Sequence, residues 1–258
     1  MFSSFHIAID AVIIVGGSIA LSLLVLWLVR AAVSHERLTP HNEVSGFVYA
    51  VIGVVYAVIL GFAVISVWEQ YRDAEANAHT EASALGNLYR IGGGLPDPSR
   101  QELRQSVLGY AASVVNEEWP AMERGAPPST HAAAQLDAIW EAIYGIEVST
   151  QKEEGLYTAA LEQMSALSHS RRQRIEDTDS GILGIMWFVM IGGAVLTVLF
   201  PCLFGVENAL VHALIIGTLA ATLGLLLVLA YDLNHPFRGD VRILPDGFIQ
   251  IIEQFGTA

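Results

Sequence analysis

Residues 44–91 read VSGFVYAVIGVVYAVILGFAVISVWEQYRDAEANAHTEASALGNLYRI. The first half, Val44–Trp68, is apolar. The second half is rich in Ala, Glu and Gln, which favour helix, and neither Pro nor Gly interrupts it between Trp68 and Gly86. The simplest account is one helix of about 45 residues that leaves a membrane and projects roughly 30 Å beyond it. Gly92, Gly93 and Gly94 end it.

Three more apolar stretches share the length of the first: Ile9–Val33, Ile182–Leu203 and Ala209–Tyr231. Each is about 22 to 25 residues, enough to cross a hydrocarbon core of about 30 Å. The composition agrees, at 53% hydrophobic and 15% charged. Met1–Asp10 carries no Lys or Arg, so the first stretch reads as an uncleaved membrane helix rather than a secretory signal. The expected fold is all-α: four membrane helices in two pairs, about 9–33 with 44–68 and about 182–203 with 209–231. Around 69–180 lies a helical middle segment continuous with them, and 232–258 form a tail. The whole chain, 1–258, reads as a single unit.

Two hairpins put both termini and the middle segment on one side of the bilayer. Arg72, Arg171, Arg172, Arg174, Arg238 and Arg242 flank the membrane on that side, against Arg30 and Arg37 in the first short turn. This excess makes that side cytoplasmic, in a multi-pass protein of the cell's plasma membrane. Lipid is then a partner by composition. Nucleic acid is excluded, because the net charge is −13 and no basic stripe exists to meet phosphates. Residues 69–180 carry 18 acidic side chains against 9 basic ones. That is a solvated helical surface, or a source of raised cation concentration at a pore mouth.

Within the middle segment, Asp97-Pro98 reads as a helix start. Leu103, Val107, Tyr110 and Val114 lie on one face of that helix, and Pro120 ends it. Ser129 or Thr130 caps the next, where Leu136, Ile139, Trp140 and Ile143 form a stripe. A last helix from about Ser149 carries Leu156, Ala160, Met164 and Leu167, and runs through Arg174 into the third membrane stretch.

The chain carries no signature of an enzyme, a cofactor site or a metal site. It lacks paired helical histidines, a phosphate loop and a nucleophile elbow. Cys202 is a single thiol and forms no internal disulfide. His212 reads as part of a polar helix start with Glu207 and Asn208. The second membrane helix is more informative. Gly46, Ala50, Gly53, Ala57 and Gly61 form a small-residue stripe suited to close helix packing. Val54, Val58 and Phe62 stack on another face, followed by Ile65 and Glu69. Such a face meets lipid or packs in a core, or, if several subunits present it to one axis, becomes an apolar constriction with a charged ring at its cytoplasmic end. After the fourth stretch, Asn234, Pro236, Phe237, Gly239 and Asp240 form a turn that ends the helix and docks the tail.

Over nearly its whole length the chain resembles the bestrophin-like family of bacterial membrane proteins. The resemblance rests on the paired membrane helices, the long glycine-containing second helix, and the turn His235-Pro236-Phe237-Arg238-Gly239-Asp240. It implies a homopentamer with a central pore conducting anions or cations, its neck lined by second-helix residues at the spacing of Val54, Val58 and Phe62. The acidic calcium clasp of animal bestrophins is missing, since Val241 and Arg242 follow Asp240. The leading expectation is an oligomeric ion channel. The competing one is a membrane-anchored scaffold or sensor that binds a partner protein through residues 69–180.

Overall fold

The computed structural model describes residues 4–179 and 181–256, and among these it contains helices and turns but no strand. The chain forms two compact units. One is Met1–Glu69 with Gly181–Asn234, and the other is Gln70–Ser180 with His235–Ala258.

The first unit holds α1 (Ser4–Ala32), the single turn α2 (His35–Leu38), the first part of α3 (Asn42–Gly92), α8 (Gly184–Leu199) and α9 (Ala209–Leu233). Four of these helices have apolar windows of mean hydropathy 2.2 to 2.7, only 11% to 33% buried within the chain. Helices are the form expected here, since a segment in hydrocarbon must satisfy its own backbone N–H and C=O groups. The principal packing partner of α1 is not its sequence neighbour. α1 lies along α9, with the Ser18 hydroxyl donating to Val15 O at 2.8 Å and reaching Ala220 O at 3.3 Å beside Gly224. α3 meets α8 where the Tyr56 ring covers Gly193 so closely that a Cβ there would collide with it. The Tyr56 hydroxyl donates to Met190 O at 2.8 Å.

The two short connections of this unit are bound to each other. The Asn42 amide donates to Gly205 O at 3.1 Å and accepts from Gly205 N at 2.8 Å, and the Thr39 hydroxyl donates to the same carbonyl at 3.2 Å. Arg30 donates to Val206 O at 2.8 Å and Glu207 O at 3.2 Å. Asn208 caps α9, accepting from Leu210 N and Val211 N. His212 is buried one turn inside, with Nε2 3.0 Å from Pro201 O and Nδ1 3.3 Å from Arg30. A carbonyl only accepts, so Nε2 carries the proton and Nδ1 accepts from Arg30.

The second unit contains the rest of α3, then α4 (Ser99–Ser113), α5 (Trp119–Glu123), α6 (Thr130–Tyr144), α7 (Gln151–Asp179) and α10 (Asp246–Phe255). The apolar stripes of α4, α6 and α7 converge on one core. Leu103, Val107, Tyr110, Ile139, Ile143, Met164 and Leu167 are fully buried there, with Leu85 and Leu88 of α3. Ser129 caps α6, its hydroxyl accepting from Ala132 N at 3.2 Å.

Three local expectations need correction. Asp97 does not cap α4, which begins at Ser99 after Pro98; Asp97 instead lies 4.0 Å from Arg100. Pro120 does not end the helical path. Lacking an N–H, it gives the Asn116 carbonyl no partner, and a π turn, Val114–Glu118, takes up the break before α5. The last helix of the second unit does not run into the third membrane stretch either. α7 ends at Asp179, and Gly181–Leu183 are non-helical before α8. There the Ile182 N–H leaves the helical ladder and donates to the Asn234 side chain at 2.8 Å.

Glycine positions separate tight contacts from open ones. At Gly205 a Cβ would run into the Thr39 backbone, whereas at Gly155 in exposed α7 it meets nothing within 4 Å. Gly205→Ala should lower stability by about 1–3 kcal/mol through overpacking. Gly155→Ala should raise it by about 0.5–1 kcal/mol by removing backbone freedom. Thermal unfolding in detergent checks both, with a fall in midpoint for the first and a rise for the second.

Candidate functional site

Within the first unit, α3 has two opposite faces. Tyr56, Leu60, Ala63 and Val67 are buried, and Tyr56 meets α8 at Gly193 and Met190. Val54, Val58, Phe62 and Ile65 are 65%, 52%, 68% and 55% exposed, and Glu69 is exposed as well. At about 100° per residue these five positions cluster roughly opposite Leu60. The chain therefore turns a row of large apolar side chains away from its own helices and ends that row with a carboxylate.

Close packing at the glycines of the small-residue stripe is not made within the described residues of one chain. A Cβ added at Gly46, Gly53 or Gly61 meets nothing within 4 Å, and Ala57 is exposed. Among the described residues, no atom of another helix comes within 4 Å of a Cβ built at those three glycines. The close approaches fall instead at Gly193, Gly205 and Gly224.

The C-terminal turn divides between the units. Asn234 ends α9 and holds Ile182. In the second unit, Phe237 is 1% exposed and meets the Trp119 ring edge-on at 5.6 Å. Trp119 Nε1 donates to Ile243 O at 3.1 Å, and Ile243 N donates to Pro236 O at 2.8 Å. Gly239 has φ 75°, a conformation that favours glycine. Asp240 is half-buried beside it. Arg238 Nε donates to Met122 O at 3.3 Å, and its guanidinium lies against Gly125, which has φ 64° and no space for a Cβ.

The second unit also contains a charge cluster that reading the sequence missed. Arg174 of α7 is fully buried and holds Glu81 of α3 with two hydrogen bonds, 2.6 Å from Nε and 2.9 Å from Nη2. The same Nη2 donates to Glu118 of the π turn at 2.7 Å, and Arg171 donates to the other Glu118 oxygen at 2.6 Å. The Tyr110 hydroxyl donates to Glu81 at 2.5 Å. Arg174 Nη1 reaches the Met122 sulfur at 2.9 Å, and its guanidinium lies 5.1 Å from the Trp119 ring centre. Two carboxylates and two guanidiniums balance in charge. Burial pushes the Tyr110 phenol well above its ordinary range, and the neighbouring Glu81 carboxylate pushes it further. Burial works against the Arg174 charge, but Glu81 first and then Tyr110 and Glu118 outweigh it, so its pKa stands well above the ordinary value.

The sequence carried a usable signal for this cluster. Glu81 falls inside the buried stripe Ala74, Ala78, Ala82, Leu85, and Arg174 lies two turns beyond Leu167 on the stripe of Ala160 and Met164. A charge inside an apolar stripe calls for an opposite charge in another such stripe.

The profile of the bestrophin-like domain matches residues 16–248. Two solved structures similar to this chain are point variants of a bacterial bestrophin homologue from Klebsiella pneumoniae. One has a TM-score of 0.75 at 12% identity, covering 95% of this chain and 99% of that one. The other has a TM-score of 0.72 at 13% identity, covering 93% and 96%. A third structure of the Klebsiella homologue gives 0.68 at 13%, covering 93% and 97%. No curated protein matches the chain.

Two substitutions test the cluster. Arg174→Ala leaves Glu81 and Glu118 without their shared cation and should cost about 3–5 kcal/mol, read as loss of folded protein or a large drop in unfolding midpoint. For Tyr110 the folded pKa is raised, so its contribution is complete below the unfolded value of about 10 and is lost as pH rises through the folded value. Tyr110→Phe should therefore lower the midpoint at neutral pH and flatten its decline above about pH 10 relative to wild type. Parallel declines in the two proteins would contradict this assignment.

Proposed function

The chain belongs to the bestrophin-like family, and from that premise we propose that several copies surround one axis and form an ion channel in the membrane. The observation that carries this reading is the outward row of α3, Val54, Val58, Phe62 and Ile65, ending at Glu69. Lipid alone would accept the apolar part of such a face. A row that ends in a carboxylate, beside exposed Ala57 and beside Gly46, Gly53 and Gly61, where a Cβ meets no described atom within 4 Å, suits a second copy better.

In this reading Val54, Val58 and Phe62 form successive apolar rings that ions cross only when the constriction is wetted. Glu69 adds a ring of negative charge at one mouth, which draws cations and repels anions over about a Debye length, about 8 Å at physiological salt. The copy number by family resemblance is five. The location is the bacterial inner membrane, with both termini and the middle segment in the cytoplasm. The turn Asn234–Asp240 anchors the segment that follows the last membrane helix.

Recording from the purified oligomer in planar bilayers under a KCl gradient tests the proposal. Steady currents with a defined reversal potential are expected, and a folded, verified oligomer that stays silent contradicts the reading. Phe62→Ala should raise conductance while assembly is unchanged. If the constriction barrier falls by about 1.4 kcal/mol, the current rises about tenfold. Glu69→Gln should move the reversal potential towards the chloride equilibrium value, and an unmoved potential removes Glu69 from the conduction path.

A further inference from the structure

On the side of the membrane unit formed by α1, α8 and α9 lies a groove of about 310 Å³ to which no α3 residue contributes. It runs along α1 from Ile14 to Val25, about three helical turns. Small side chains open it: Ser18 and Ser22 on α1, Ala194 on α8 and Gly224 on α9. All of these residues fall within the apolar membrane windows of their helices.

We propose that this groove is a binding site for one hydrocarbon chain of a membrane lipid. Its walls offer a ligand no free donor. The Ser18 hydroxyl is committed to Val15 O at 2.8 Å, and that of Ser22 to Ile19 O at 2.8 Å. A polar molecule would leave its own groups unpaired there, and water would lack the two to four partners it needs. An acyl chain loses nothing by entering and packs against three helices rather than one, gaining dispersion contacts. The choice of lipid over a neighbouring copy rests on the channel reading above. If the outward row of α3 faces the shared axis, a groove without α3 residues is turned towards the bilayer. A resident chain would fill a gap that α1, α8 and α9 leave between them and so brace their packing.

The test is native mass spectrometry of the full oligomer released from nanodiscs of phosphatidylethanolamine and phosphatidylglycerol. Wild type should retain diacyl phospholipid, up to one per chain, after bulk lipid is stripped. Ala194→Leu fills the groove and should reduce retention about tenfold, the equivalent of about 1.4 kcal/mol, with the copy number unchanged. Leu214→Phe adds bulk on an exposed part of α9 outside the groove and should retain lipid as wild type does. Retained mass equal to a free fatty acid would keep the site and change the source of the chain. Equal retention in wild type and Ala194→Leu overturns the proposal. So does a change in copy number on Ala194→Leu, which would make the groove a contact between copies. Should Ala194→Leu fail to assemble, a density map of wild type with a brominated-chain phospholipid decides, because a groove without bromine signal overturns the site. Bilayer currents are read separately, so loss of the channel reading and loss of the lipid site are distinguishable.

Discussion

A polar group taken out of water must find its partner inside the chain, and both units are organised around that demand. In the membrane unit the partners are mostly backbone carbonyls. Asn42 satisfies Gly205 in both directions, Asn234 takes the Ile182 N–H, and Arg30 is spent on Val206 and Glu207. These bonds sit at helix ends and connections, where the helical ladder leaves groups unpaired. In the second unit the demand is met by charge: Arg174 between Glu81 and Glu118, with Arg171 and Tyr110 closing the set. Such a cluster adds little stability over a well-packed apolar core. It does join α3, α4, the π turn and α7, since each supplies a member of the network.

The π turn illustrates how a local fault is used. Pro120 removes one donor, and the helix before it widens by one residue, with Trp119 N–H donating to Val114 O. As a result both Glu118 and Trp119 point into the core. Glu118 then takes two guanidiniums, while Trp119 packs on Phe237 and Phe248 and holds the Ile243 carbonyl. The segment following α9 is thus bound to the same core as the charge cluster.

Much of the architecture was legible because membranes impose strong patterns. The four apolar stretches, the uninterrupted helix Asn42–Gly92, the Ser129 cap and the stripes of α6 and α7 all follow from period, length and capping chemistry. The end of α7 was not legible, because no breaker but Gly181 separates Arg174 from Gly184 and the deciding partner, Asn234, lies about fifty residues away. The charge cluster was half legible: its members stood out of pattern, but pairing Glu81 with Arg174 requires knowing which stripes face one another. Of the candidate site, the sequence supplied the row Val54, Val58, Phe62, Ile65 and Glu69 as positions sharing one helical face.

The sequence by itself determined that this chain is helical, crosses a membrane four times and carries a long second helix with an apolar row ending in a carboxylate. Hydrophobic length and helical period are local properties, so they can be read along the chain. Tertiary structure alone decided that α1 packs on α9, that Tyr56 lies over Gly193 and that Gly46, Gly53 and Gly61 are left uncovered. It also decided which face of α3 is buried and which points outward. Those choices depend on which distant surfaces fit together in shape and polarity, and that complementarity is a property of pairs of segments rather than of any one.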